Sequence, residues 1–189
     1  YPLRRQRQMC IRDRYDRIIE ESSDIARAGF TAVWMPPPTT SVSKEGYMPT
    51  DFYNLNTFYG SEEELKECVK TLNEKSITAV ADIVINHRCA TQQDEQGRWN
   101  IYEGKLAWDQ SAICSGNPAF GGTGNPKTGE DYGPAPNIDH RNESIRNDIK
   151  EWLNYLRDEI GFRGWRFDFV KGYNGVYSGE YVEATRPFL

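Results

Sequence analysis

No stretch of the chain approaches the ~20 consecutive apolar residues of a membrane-spanning helix. Positive charge is also scarce: 23 Lys and Arg face 28 Asp and Glu, for a net charge of −5 and a pI near 5.2. Nucleic-acid binding wants clustered basic residues, and the only dense basic run is the "RRQRQMCIRDR" of residues 4–14. Neither a nucleic acid nor a membrane is therefore an expected partner, and the chain is expected to be soluble. Cysteine is sparse too. Cys10, Cys68, Cys89 and Cys114 show no CxxC or metal-finger spacing, which leaves reduced thiols as the main reading and a Cys89–Cys114 disulfide as the alternative.

What is present is one domain's worth of sequence. At 189 residues the chain is long enough to bury a substantial core. Residues 1–14 are set apart: "RQMCIRDR" is similar to translated sequencing-adapter read-through, with a basic targeting peptide as the rival reading. Fold reasoning begins at residue 15.

From there helical and apolar extended patterns alternate. "DRIIEESSDIARA" places Ile18, Ile25 and Ala28 on one face before Gly29, and "FTAVWMPPP" reads as a buried strand leaving into a loop. "SEEELKECVKTLNEK" carries a Ser61–Glu64 capping box and a Leu65, Cys68, Val69, Leu72 stripe. "TAVADIVIN" is apolar at nearly every position, as in a strand covered on both faces. The segment from His87 to Arg141 has no sustained period, and so long a connection is usually functional or disordered. "NESIRNDIKEWLNYLRDEIG" is a helix with Asn142 as N-cap, "RGWRFDFV" a third strand, and "SGEYVEATRP" a last short helix. The order implies a parallel sheet whose strand ends open on one rim, in either a doubly wound sheet or a (β/α)8 barrel.

Chemistry concentrates at those strand ends. Residues i and i+2 of a strand share a face, so Arg166 and Asp168 point the same way among Trp165, Phe167, Phe169 and Val170. A guanidinium in hydrogen-bond range favours the charged form of a carboxylate; the pair is either structural or holds a nucleophile. In "DIVINH", Asp82, Val84 and Asn86 are expected on one face. Asn86 offers a neutral oxygen of the kind calcium accepts, or simply starts the loop, and His87 stands where the chain leaves the strand. His140, before a helix, reads as structural. The loops carry many aromatics, among them Tyr47, Trp99 and Trp108, as platforms for a ligand or as loop packing.

Taken together, "MPPPTTSVSKEGYMPTDFYNL", "ADIVINHRCA", "APNIDHRNESIRNDIKEWL" and "GWRFDFVKGY", in that order, resemble the α-amylase family, glycoside hydrolase family 13, and most closely its plant-type members. The likeness covers roughly residues 15–189. It implies an α/β fold, part of a (β/α)8 TIM barrel with a long irregular calcium-binding insertion after the third barrel strand. It implies retaining hydrolysis of α-1,4-glucosidic bonds in starch and related glucans.

By the same resemblance Asp168 matches the nucleophile and Arg166 the arginine that keeps it charged. Tyr47, His87 and Lys171 match substrate-binding positions. Asn86, Asn137 (an aspartate in cereal members), the Gly172 carbonyl and the Glu130 carbonyl match ligands of a structural calcium. An aspartate expected near Lys127 is missing and the "EGKLAW" loop is short, so at most one calcium is expected.

The general-acid glutamate and a further aspartate of the family fall beyond the matched strands, and Glu180 and Glu183 match neither. The chain is accordingly expected to be an inactive, edge-exposed piece of an enzyme spanning barrel strands two to four. Another family 13 enzyme (a transglycosylase or an α-glucosidase) and a non-catalytic glucan-binding protein are the alternatives. No protein partner is expected; plastid or cytosol is weakly favoured.

Overall fold

The computed structural model describes residues 14–189, so the expectation for residues 1–14 lies, but for Arg14, outside the described residues. Helix α1 (Tyr15–Arg27) leads to β1 (Ala32–Met35); a two-stranded hairpin follows, β2 (Thr40–Ser41) and β3 (Pro49–Asp51). Helix α2 (Glu62–Glu74) precedes β4 (Thr78–Ile83). The long connection then holds a second small hairpin, β5 (Gln92–Gln93) and β6 (Trp99–Ile101), and a 3-10 turn. Helix α3 (Glu143–Tyr155) runs into one π turn, Leu156–Ile160, before β7 (Gly164–Phe167) and α4 (Gly175–Thr185).

The larger sheet has the order β1-β4-β7 and is parallel throughout. Short parallel strands linked by helices bury both faces. Met35, Ala79, Ala81, Ile83 and Trp165 turn to one side and are buried with the core residues of the helices. On that side α2 contributes Leu65, Cys68, Val69 and Leu72, and α3 contributes Ile145, Ile149, Trp152 and Leu153. Residues of the other parity, Trp34, Val80, Asp82 and Arg166, share the opposite face.

The local signals hold where capping chemistry specifies them. Ser61 Oγ accepts from the Glu64 N–H at 3.2 Å while Glu64 Oε2 accepts from the Ser61 N–H at 2.7 Å. Asn142 caps α3 by accepting from Ser144 N–H, and Gly161, at φ 96°, ends it in the left-handed region that glycine adopts without strain.

Three expectations need correction. Ala28 is exposed, and Ser22 fills the buried stripe of α1, its hydroxyl satisfied by the Ile19 carbonyl at 2.7 Å. The third strand stops at Phe167, because Phe169 takes φ 47°, and Val170 is half exposed instead of buried. The second strand stops at Ile83, so strict alternation does not carry to Val84 and Asn86. The reduced-thiol reading holds for Cys89 and Cys114, which are free and not bridged, with Cys114 Sγ donating to the Ile138 carbonyl. Burial pushes Cys89 up to about 11 and Cys114 up to about 12, so neither is a thiolate at neutral pH. Among the described residues no helix is long and apolar enough to cross a membrane.

Candidate functional site

The parallel register sets Asp82 on β4 directly opposite Arg166 on β7. Directly paired residues of one face meet, and here they form an ion pair. Arg166 Nη1 donates to Asp82 Oδ1 at 2.8 Å and to Asp168 Oδ1 at 2.5 Å. One nitrogen thus bridges two carboxylates, while the guanidinium lies 4.9 Å from the centroid of the Trp34 ring. The two acids differ in access. Asp82 is fully buried, whereas the Asp168 side chain keeps 19% of its exposure. Asp168 Oδ2 carries no hydrogen bond from the described residues.

Burial pushes the Asp82 carboxyl above its ordinary range, opposed by the Arg166 hydrogen bond and charge and by the Tyr47 hydroxyl. For Arg166, partial burial pulls the other way, but the two acids outweigh it and raise the guanidinium further. The guanidinium therefore stays charged at neutral pH, and it is the group that offsets the burial of Asp82. The sequence reading gave Asp82 no role in this arrangement. Its signal was a lone acid inside the apolar run "TAVADIVIN", which needs a buried cation to be tolerable.

Tyr47 and His87 belong to the same network. Tyr47 Oη donates to Asp82 Oδ2 at 2.9 Å, and its carbonyl accepts from His87 Nε2 at 2.8 Å. His87 Nδ1 faces Asn86 Nδ2 at 3.2 Å. Only the neutral imidazole protonated on Nε2 satisfies both contacts, and burial also lowers the imidazole pKa. The ring is fully buried, stacked on Tyr132 at 3.6 Å between centroids and 2° between planes, with Phe169 edge-on to both. Tyr132 and Phe169 were not anticipated as site residues.

Phe169 is one of three non-glycine residues at positive φ among the described ones. Such strain costs on the order of 1–3 kcal/mol and gathers at functional sites. It turns the chain sharply just after Asp168.

Lys171 does not reach the carboxylates. Its Nζ pairs with Glu130 Oε2 at 2.6 Å on an exposed surface. The four expected calcium-ligand positions do come together, but around a hydrogen-bond donor. Asn137 Nδ2 donates to the Glu130 carbonyl at 2.9 Å, to the Gly172 carbonyl at 3.2 Å and to Asn86 Oδ1 at 3.3 Å. Asn137 Oδ1 accepts from the Tyr132 N–H at 3.3 Å. The arrangement as it stands does not fit a cation: the amide nitrogen faces the three oxygens, and every group in the set is neutral. Among the described residues no cluster of three or more His, Cys, Asp or Glu is arranged to hold a metal.

His140 packs as the sequence suggests for a structural residue, with Nδ1 at 2.6 Å from the Tyr181 hydroxyl and Nε2 at 2.9 Å from the Ile85 carbonyl. Arg88 is fully buried without an acid in contact. It donates to the carbonyls of Thr50, Leu106 and Glu103, and the rings of Phe52, Tyr102 and Trp108 surround its guanidinium at 4.9–5.3 Å.

The site gathers at the C-terminal ends of the parallel strands: Asp82 and Arg166 near the ends of β4 and β7, Tyr47 after β1, Asn86 and His87 after β4, Asp168 after β7. This is where ligands bind in such sheets. Fold and site together define an α/β protein with an ion-paired carboxylate at its strand-end rim.

Comparison with known proteins specifies the class further. The family described as "Alpha amylase, catalytic domain" matches residues 16–107. "Alpha-amylase 3, chloroplastic" of Arabidopsis thaliana is 46% identical over 175 residues, 93% of this chain and 20% of that protein. "Probable alpha-amylase 2" of the same plant is 45% identical over 88% of this chain and 40% of its own length. The α-amylase I structure from Eisenia fetida superposes with a TM-score of 0.73 over 92% of this chain and 39% of that one, at 18% identity. The chain belongs to the α-amylase family, glycoside hydrolase family 13. It spans about a fifth to two fifths of the length of these curated relatives.

Proposed function

We propose that this chain supplies the nucleophile half of a retaining α-amylase site acting on α-1,4-linked glucans such as starch. The observation that carries the reading is the Arg166 bridge between buried Asp82 and accessible Asp168. Asp82 fixes the guanidinium from behind, and the guanidinium holds and orients the Asp168 carboxylate through its hydrogen bond. The unpaired Oδ2 is free to attack an anomeric carbon: the C–O bond to the enzyme forms as the glycosidic bond breaks. Water later displaces the carboxylate, so the configuration is retained.

Retention also needs a second carboxyl about 5–5.5 Å away to protonate the leaving oxygen. Glu180 is held by Arg146 at 3.1 Å and by Lys150, so it does not serve. In this proposal the general acid comes from the part of the relatives' length that this chain does not span, and residues 15–189 alone are inactive. β1, β4 and β7 are then consecutive staves, the second to fourth, of an eight-stranded barrel. Tyr47 offers a ring face to the sugar beside Asp168, while His87 buttresses Tyr47 from beneath. Lys171 can bind substrate only by leaving Glu130. No step runs through calcium. Likeness to the chloroplastic Arabidopsis relative supports a plastid as the site of action.

The test uses the full-length protein and a linear maltooligosaccharide. Hydrolysis with initial release of the α-anomer, seen by proton NMR, is expected, together with loss of cleavage but not of glucan binding in Asp168→Asn. An initial β-anomer, or undiminished cleavage by Asp168→Asn, defeats the reading.

A further inference from the structure

Three oxygens converge where the resemblance places a cation: Asn86 Oδ1 and the carbonyls of Glu130 and Gly172. What stands among them is the Asn137 Nδ2 group, in contact with all three at 2.9–3.3 Å. We propose that the Asn137 carboxamide takes the place of a structural calcium ion, so that this junction between the long loop and the end of β7 closes without metal.

The orientation of that amide is fixed at both ends. An Asn amide can be turned over on paper, since its oxygen and nitrogen look alike. Turning Asn137 would set its Oδ1 against three other oxygens and its NH2 against the Tyr132 N–H that Oδ1 now accepts. Asn86 cannot compensate, because its own Nδ2 is directed at His87 Nδ1. Both asparagines are more than nine-tenths buried, where mismatched polar groups are costly.

The cradle is also tight and uncharged. A Cβ on Gly172 would stand 1.9 Å from Asn86 Oδ1. Calcium sites collect six to eight oxygens and are tuned by the number of charged ligands, and this set contains none. The neighbouring acids are committed elsewhere: the Glu130 carboxylate to Lys171 and the Asp131 carboxylate to Lys127, both on the surface. An amide with two N–H groups does here what a cation does, drawing carbonyls of separate segments to one point.

Replacing the amide by a carboxylate restores what calcium needs. The experiment takes the full-length protein, its Asn137→Asp and its Asn137→Ala variants. Each is stripped with EGTA and equilibrated in about 1 mM calcium, the range of weak sites; bound calcium per chain and Tm are then measured. Parent and Asn137→Ala are expected to hold the same number of ions, and Asn137→Asp one more, with a Tm that rises on adding calcium. The inference is overturned if Asn137→Ala loses an ion that the parent holds, or if Asn137→Asp gains none.

Hydrogen exchange on the parent alone decides the matter should either variant fail to fold. Peptides covering residues 130–137 and 172 are expected to be equally protected in EGTA and in calcium. Protection that depends on calcium there overturns the inference. None of these readouts requires catalysis.

Discussion

Arg166 and Arg88 stand on the same rim and solve opposite problems. Arg166, whose side chain is 41% exposed, lies between two carboxylates, and one of those remains partly open. Arg88 is sealed from solvent with no acid in contact, Asp51 acting on it only at a distance; three carbonyls and three aromatic rings take its charge. Burial lowers the Arg88 guanidinium to about 10, still well above neutrality. A buried charge survives either beside a counter-ion or with every donor satisfied and π faces around it. The first solution leaves a usable anion at the surface. The second staples the β2–β3 hairpin and the Glu103–Leu106 turn to the end of β4. Charge for chemistry and charge for architecture are separated by a single question: whether an acid is left over.

The comparison can be broken most severely at the staple. Arg88→Ala strands three carbonyls and leaves a cavity among aromatics, so roughly 3–5 kcal/mol of stability should disappear. Urea denaturation of the parent and the variant measures it. The same substitution at Arg166 should also cost stability, because it leaves fully buried Asp82 without its cation; the loss should be the smaller of the two, since Asp82 can take up a proton and keep the Tyr47 hydroxyl as its partner.

A second sealed group, His140, should show in the pH response. Burial depresses His140 to about 4, against an ordinary value near 6.5. The unfolded chain therefore binds the extra proton first. The stability that neutral His140 contributes is fully present above about pH 6.5 and is lost as pH falls through about 4, roughly 3 kcal/mol in all. Denaturation midpoints between pH 7 and 4 should fall in the parent and flatten in His140→Gln.

Arg166→Lys sharpens the comparison from the other side. It keeps a point charge but loses the planar guanidinium that lies over Trp34. Turnover should drop roughly 10–100-fold, about 1.4–2.7 kcal/mol in the barrier, while Tm barely moves. Smallest of all, Phe169→Gly relieves the left-handed backbone while giving up the ring contact with Tyr132. A change within about 1 kcal/mol is expected by thermal denaturation.

The frame of this molecule was written locally, in caps and periods. Ser61–Glu64, Asn142 and Gly161 mark helix ends by side-chain or backbone chemistry that needs no tertiary information. The apolar runs announced β1, β4 and β7, and the Arg166–Asp168 spacing placed one half of the site. What escaped depends on register and on long loops. Asp82 became an anchor only because parallel pairing sets it opposite Arg166. Val170 is exposed only because Phe169 turns left-handed. Tyr132 reaches His87 across a loop with no period, and the Arg88 box needs rings from three separate stretches. The strands of the two hairpins, two or three residues each, are too short for alternation to mark them.

The role of Asp168 can be tested by catching the intermediate. Full-length protein treated with a slow-turnover fluorinated α-glucosyl donor should accumulate an ester. Mass spectrometry should then place one glucosyl group on Asp168, in the peptide that includes Arg166. A glucosyl group on any other carboxylate, or turnover that proceeds with Asp168 unmodified and replaceable, would contradict it.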